Sequence, residues 1–361
     1  MSLPNHPVAA ITPGSATQAA SPAPPTPAKP AVHKAFLKGL NTLRAIAALS
    51  VCFFHFTNGA LPKVIVPFTQ HMFSQGGLGV DVFFVLSGFI IPYSLLGKDY
   101  RHSGFLPYFK KRLIRINPPA YVAMLLVIMQ GLFIDIVIHH TNVYGSQLSF
   151  GQVLNNIFFT IPFTDYKWIV GIFWTLAIEF QFYLFIGLLF ALLFESRSLL
   201  WFVGVYLLSD AAQFIPGMAF TSFFAFSPLF AMGGVALLWQ QQRLSKPLYV
   251  GFMVLFTSLA YWQQGGYIAG VGLATALVIN LLKNDVPGLD FVGKISYSFY
   301  LLHVLIGTTC EFVLIKIIPP TTTANKLIIT GLSVAVALVG AYLFYHFVEQ
   351  PFMRLASKKA A

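Results

Sequence analysis

Charge is what this 361-residue chain has least of: Asp, Glu, Lys and Arg together make up 9% of it, and only 11 residues are acidic. A water-soluble domain carries about 25% charged residues, so a soluble globular protein is excluded. Cysteine is scarcer still. The two present, Cys52 and Cys310, both lie in apolar segments, which argues against a disulfide framework and a thiolate metal site. No short apolar leader with a small-residue cleavage site is evident near Met1. No internal repeat stands out, which weighs against the inverted-repeat transporter architectures. What the chain has instead is 57% hydrophobic and 16% aromatic residues, the composition of an all-α integral membrane protein. Its net charge of +11 would suit nucleic acid, but loops enriched in Lys and Arg on one side of a membrane explain it better.

Residues 1–35 are rich in Pro, Ala, Ser and Thr, as in SPAPPTPAKP from Ser21, and read as a disordered cytoplasmic tail. Ten hydrophobic segments follow, near 37–57, 76–96, 118–138, 169–193, 198–213, 218–240, 247–263, 267–282, 295–318 and 326–348. Each is read as a transmembrane helix of a membrane domain covering 36–355, with 356–361 as a cytoplasmic C-terminal tail. The apolar stretch from Ser149 to Phe163 is short and holds Pro162, so it is expected at the outer interface. With the N-terminus inside, 17 of the 22 basic residues fall on the inner side, and Lys63, Lys167, Lys316 and Lys326 on the outer, with Arg44 inside a span. That asymmetry is the positive-inside pattern. It predicts about ten helices, N-in and C-in.

Ionisable residues inside such spans are functional candidates by default. Arg44 and His55 share the first span eleven residues apart, close to three helical turns, hence on one face and about 16 Å apart along the axis. The bland alternative is a snorkelling Arg and a His bonded to backbone. Asp81 enters the second span, GGLGVDVFFVLSGFII from Gly76, at a depth close to that of His55. Either it fixes the tautomer of His55, leaving the other ring nitrogen as a base, or it caps its own helix. Arg112 and Arg115 are three apart, on one helical face, and serve either as a phosphate-gripping pair or as a juxtamembrane anchor. Glu179 is buried in the fourth span near Trp174, Gln181 and Tyr183. Tyr297, Tyr300 and His303 recur every three residues in the ninth. Glu349 lies beside Pro351 at the expected cytoplasmic end, where an ion pair with the arginines is plausible. Asp135 and His139 could supply half a metal site, but spacing offers no third ligand. Cys52, one turn before His55, is better read as packing than as a nucleophile.

Taken together these segments resemble the acyltransferase 3 family of membrane O-acyltransferases, from about Leu37 to Arg354. The resemblance rests on Arg44 followed by His55, GVDVFFVLSG from Gly79, RLIR from Arg112, FWTLAIEFQFY around Glu179, SYSFYLLH from Ser296 and EQP from Glu349, in that order. It implies about ten helices and transfer of an acyl group, commonly acetyl from acetyl-CoA, to a hydroxyl across the membrane. It makes Arg44 and His55 the central pair and Arg112 and Arg115 the cytoplasmic arginine pair. The chain departs from the pattern at Asn41, where an acid is frequent, at Thr175 for a common Ser, and at Phe180 for a second Glu. It ends at Ala361 without the esterase-like domain that many members carry.

The expectation is therefore a bacterial inner-membrane O-acyltransferase moving an acyl group from cytoplasmic acyl-CoA to an extracytoplasmic polysaccharide, lipopolysaccharide or lipid-linked saccharide. Its catalytic residues would be His55, Arg44, Asp81 and Glu179. Its donor-binding residues would be Arg112, Arg115, Tyr297, His303 and Glu349. No metal and no nucleic acid are called for; lipid, a second copy, or polysaccharide-assembly machinery are the other expected partners. The competing class is a transporter or exporter using Asp81, Glu179 and His303 as a proton relay. A catalytically idle scaffold is a third.

Overall fold

The computed structural model of the chain describes residues 1–2, 39–58, 61–98, 100–215 and 222–358. The tail read at 1–35 lies outside the described residues apart from its first two, as do residues 359–361 of the C-terminal tail. Among the described residues the regular structure is helical throughout, without a strand. The helices that matter to the site are α1 (Leu40–Asn58), α2 (Gly79–Tyr93), α3 (Phe105–Phe133), α4 (Phe150–Ile157), α5 (Phe173–Phe190), α6 (Leu200–Ala211), α7 (Phe223–Gln240), α8 (Lys246–Gln264), α9 (Gly266–Leu281), α10 (Ser296–Ile317) and α11 (Thr323–Phe344).

Among the described residues, seven helical runs are long and apolar enough to cross a membrane: Leu40–Asn58, Pro67–Tyr93, His102–Ile138, Phe173–Glu195, Phe223–Gln240, Ser296–Ile317 and Thr323–Ser357. The other three expected spans are helical but fall short. At 12 and 16 residues α6 and α9 are too short against the roughly 20 that a bilayer core asks for. The 19-residue α8 is diluted by Lys246, Gln263 and Gln264. The segment around Phe150 forms α4, whose start is capped by the Ser149 hydroxyl accepting from the Gln152 amide at 3.1 Å. Its Phe150 is exposed, as an interfacial helix requires.

Small residues set the spacing of the inner helices. Gly88 of α2 and Gly233 of α7 lie face to face, and a Cβ at either would run into the other helix's backbone carbonyl, that of Phe230 or Val85. Gly79 brings the start of α2 equally close to the Ala47 carbonyl of α1. Helices buried in lipid associate through this kind of close backbone approach, since apolar surface gains little there. A carbonyl in a helix cannot move aside. Gly88→Val is therefore expected to exceed the roughly 1–3 kcal/mol of ordinary overpacking and to abolish the monodisperse folded peak in detergent size-exclusion. Gly251→Ala, with nothing within 4 Å, should leave that peak unchanged.

The start of α1 is tied to the segment before α10. The Thr42 amide donates to Asp285 Oδ1 at 3.0 Å, the Val286 amide to Thr42 Oγ1 at 2.8 Å, and Asn41 Nδ2 to Asp290 Oδ1 at 2.8 Å. Gly293 allows close contact with the Asn41 backbone. These ties hold Arg44 of α1 beside Ser296, the first residue of α10.

Candidate active site

One end of the bundle collects the arginines. Arg44, Arg112, Arg115, Ser87, Glu179, Tyr183, Ser296 and Tyr297 line a single cavity whose remaining wall is mostly apolar. Arg44 Nε donates to Ser296 Oγ at 3.1 Å, and its guanidinium carbon stands 5.9 Å from the Phe83 ring centroid. Arg112 Nη2 donates to Ser94 Oγ at 2.7 Å and lies over the rings of Tyr108 and Tyr183, 5.7 and 5.6 Å from their centroids. Glu179 Oε1 accepts from Ser87 Oγ at 3.0 Å. Arg115 differs: among the described residues its guanidinium has no hydrogen bond to protein. Just beyond it, Pro118 and Pro119 remove two amide donors from α3, and the Tyr297 hydroxyl donates to the Ile116 carbonyl at 2.7 Å. That bond fixes the entrance of α3 against α10.

Three turns along α1, His55 lines a second cavity of about 520 Å³, with Val51, Phe54, Gly77, Gln130, Trp174 and Thr308 among its walls. That volume lies within the range of small-molecule sites, about 300–1,000 Å³. Val80 and Tyr300 border both cavities, so the two meet there. The Tyr300 hydroxyl is within hydrogen-bond distance, 2.9 Å, of Thr175 Oγ1, and the hydroxyl kept at position 175 thus steadies the partition. His55 is half-buried, and among the described residues its ring nitrogens have no protein hydrogen-bond partner.

Three pairings suggested by spacing are not formed. Asp81 does not meet His55. The Gly79–Ala47 contact rotates α2 so that Gly79 faces α1, while Val85 and Gly88 face α7; Asp81, one turn before Val85, is buried on that α7 side. Arg44 and Glu349 form no ion pair, since Ser296 holds the first and Ser298 Oγ donates to Glu349 Oε2 at 2.6 Å. Glu349 lies outside the lining of the arginine cavity, as does His303, whose ring packs 5.3 Å from that of His55. Asp135 and His139 do not pair either: Asp135 Oδ2 accepts from the Tyr144 amide at 2.7 Å, and Oδ1 from the Thr141 hydroxyl. No group of three potential metal ligands occurs among the described residues.

Sequence reasoning missed Ser87, Ser94, Ser296 and Ser298, the hydroxyls that hold Glu179, Arg112, Arg44 and Glu349 in turn. A serine costs little in a helix interior of a membrane protein and so raises no flag. A signal existed in retrospect: each falls within or beside a motif that also carries a charged or aromatic candidate.

The family profile described as "Acyltransferase domain" matches residues 37–346. The chain belongs to the acyltransferase 3 family. Its acyltransferase domain takes in α1 through α11, and with them both cavities. The chain is 25% identical over 373 residues to the "Putative O-acetyltransferase SACOL0978" of Staphylococcus aureus strain COL, covering 88% of this chain and 58% of that protein. It is 24% identical over 384 residues to the "Putative peptidoglycan O-acetyltransferase YrhL" of Bacillus subtilis strain 168, covering 88% and 55%. It is also 24% identical over 384 residues to the "O-acetyltransferase OatA" of S. aureus strain NCTC 8325, covering 90% and 58%. The chain thus spans just over half the length of these relatives. No solved structure matches it.

Proposed function

We propose that this chain is a membrane O-acyltransferase that takes acetyl from acetyl-CoA at the arginine cavity and delivers it to a saccharide hydroxyl at the His55 cavity. The observation that carries this reading is the meeting of the two cavities at Val80 and Tyr300. A cationic site suited to phosphates thereby adjoins one holding an imidazole with unengaged nitrogens. Both ends of the chain on the inner side of a bacterial inner membrane, with α6, α8 and α9 as short or tilted spans beside the seven longer runs, complete the proposal, because that topology gives the arginine cavity access to cytoplasmic donor.

Arg115 and Arg112 bind donor phosphates, and Arg44 and Tyr297 guide the acyl-bearing arm towards Tyr300. His55 removes the proton from the acceptor hydroxyl as its oxygen attacks the thioester carbonyl. The C–O bond forms, the C–S bond breaks, and the proton on His55 passes to the departing CoA thiolate. Glu179, beside Ser87, offsets the positive charge of three arginines. The saccharide acceptor is favoured by the B. subtilis relative, named a putative peptidoglycan O-acetyltransferase, and by a wall offering Gln130, Thr308 and Trp174 to hydroxyls and sugar faces.

The test compares envelope saccharides and lipids by mass spectrometry from cells carrying the wild-type chain, His55→Ala, or no copy, with equal membrane levels confirmed first. An acetyl mass found with wild type alone is the expected result. Identical profiles together with export of unmodified glycan by wild-type proteoliposomes would overturn the reading in favour of transport.

A further inference from the structure

The sequence offered Asp81 as the partner of His55, and the fold turns it away. We propose that His303 takes that place: a second, neutral imidazole that positions the catalytic one. This inference rests on the proposed role of His55 as base and assigns the group behind it.

Three observations carry it. The His303 ring stands 5.3 Å from the His55 ring, tilted by 48°. His303 is 1% exposed and does not line the second cavity, whereas His55 does, so His303 backs His55 on the side away from that cavity. The nitrogens of His303 are also distinguishable. Its Nδ1 is 2.8 Å from the Tyr300 carbonyl and 3.2 Å from that of Phe299. Both of those oxygens can only accept, so Nδ1 carries the proton. Nε2 is then a lone-pair acceptor, and it is buried without a partner among the described residues.

A buried acceptor left empty costs roughly 1–3 kcal/mol and calls for a donor. The imidazole packed beside it is that of His55. The rings touch without a direct hydrogen bond, as in other substrate-free sites where catalytic hydrogen bonds tighten only in the complex. In the proposed arrangement the His55 ring turns about its Cβ–Cγ bond and donates one N–H to Nε2. That bond leaves the other nitrogen unprotonated and facing the acceptor hydroxyl, and it steadies the imidazolium that forms on proton transfer. A carboxylate would do this too, but only as a second buried charge; an imidazole adds none, which suits a site inside hydrocarbon. His303 is in these terms a positioning residue.

Two amide substitutions separate the roles of its two nitrogens. His303→Asn places a short amide that keeps the Nδ1-type bond to the helix carbonyls and removes the Nε2 acceptor. His303→Gln carries an oxygen out to where Nε2 lies. His303→Asn is expected to lower kcat by about tenfold to a hundredfold with KM for donor and acceptor within twofold of wild type, and His303→Gln to recover most of that loss. In protein labelled with 15N in its histidine rings and held in nanodiscs without substrate, His55 should show one tautomer in wild type and His303→Gln, and a mixture in His303→Asn. Full activity in His303→Asn, or equal loss in the two folded variants, would overturn the proposal, as would a His55 tautomer indifferent to both substitutions. If wild type transfers no acetyl at all, the proposed function fails, while the substrate-free spectra still decide the pairing. If His303→Asn does not fold, His303→Phe replaces it with the same expectations.

Discussion

His55→Ala should lower kcat for acetyl transfer by about 10²–10⁴-fold, the usual worth of a positioned histidine base, while leaving acetyl-CoA binding intact. The separation follows from the fold. Arg44, Arg112 and Arg115 line one cavity and His55 the other, so truncating the imidazole strips nothing from the donor site. Nor does it breach the nearby packing, which rests on Cys52 and Phe56, both buried on α1. Titrating the donor by calorimetry alongside turnover measures the two effects separately. Turnover equal to wild type would remove His55 from the chemistry; loss of donor binding would place it at the wrong end of the reaction.

Arg115→Gln should raise the donor KM by about tenfold to a hundredfold, with little change in thermal midpoint. A hydrogen bond to a charged group contributes about 1.5–3 kcal/mol, and every 1.4 kcal/mol is about tenfold in affinity. Arg115 has no protein hydrogen bond to lose among the described residues, so the cost falls on the ligand. Arg112 provides the contrast. It is bonded to Ser94 and laid over Tyr108 and Tyr183, so Arg112→Gln should lower the thermal midpoint as well as donor affinity. Raised salt should weaken donor binding in wild type more than in Arg115→Gln, because screening acts on charge pairs reached by solvent. A donor KM unchanged by Arg115→Gln would return the pair to the role of a membrane anchor.

Motif spacing anticipated which candidate side chains share a helix face, within limits that have a physical origin. Arg44 and His55 share a face because a helix repeats every 3.6 residues, and that relation survives folding intact. Arg112 and Arg115 reach the same cavity for the same reason. Pairings between helices were a different matter. Asp81 and His55 lie at similar depth, but depth along a span says nothing of rotation about it, and the Gly79–Ala47 contact decides that rotation. The serines that hold the charged groups were silent in the sequence because a hydroxyl is inexpensive wherever it falls.

By itself, then, the sequence determined that the protein is helical and membrane-embedded, and which ionisable residues are its exceptions. Burying a charge in hydrocarbon is costly enough to mark each one. It also carried the family, since an ordered set of motifs needs no coordinates to be recognised. Only the tertiary structure decided which exceptions meet. It put three arginines and Glu179 around one cavity and sent Asp81 to the α7 side. It set His303, with a lone pair unused, against the imidazole of His55. Those outcomes depend on how closely glycine lets two backbones approach and on the rotation that follows, and neither is written in the spacing of residues along a single helix.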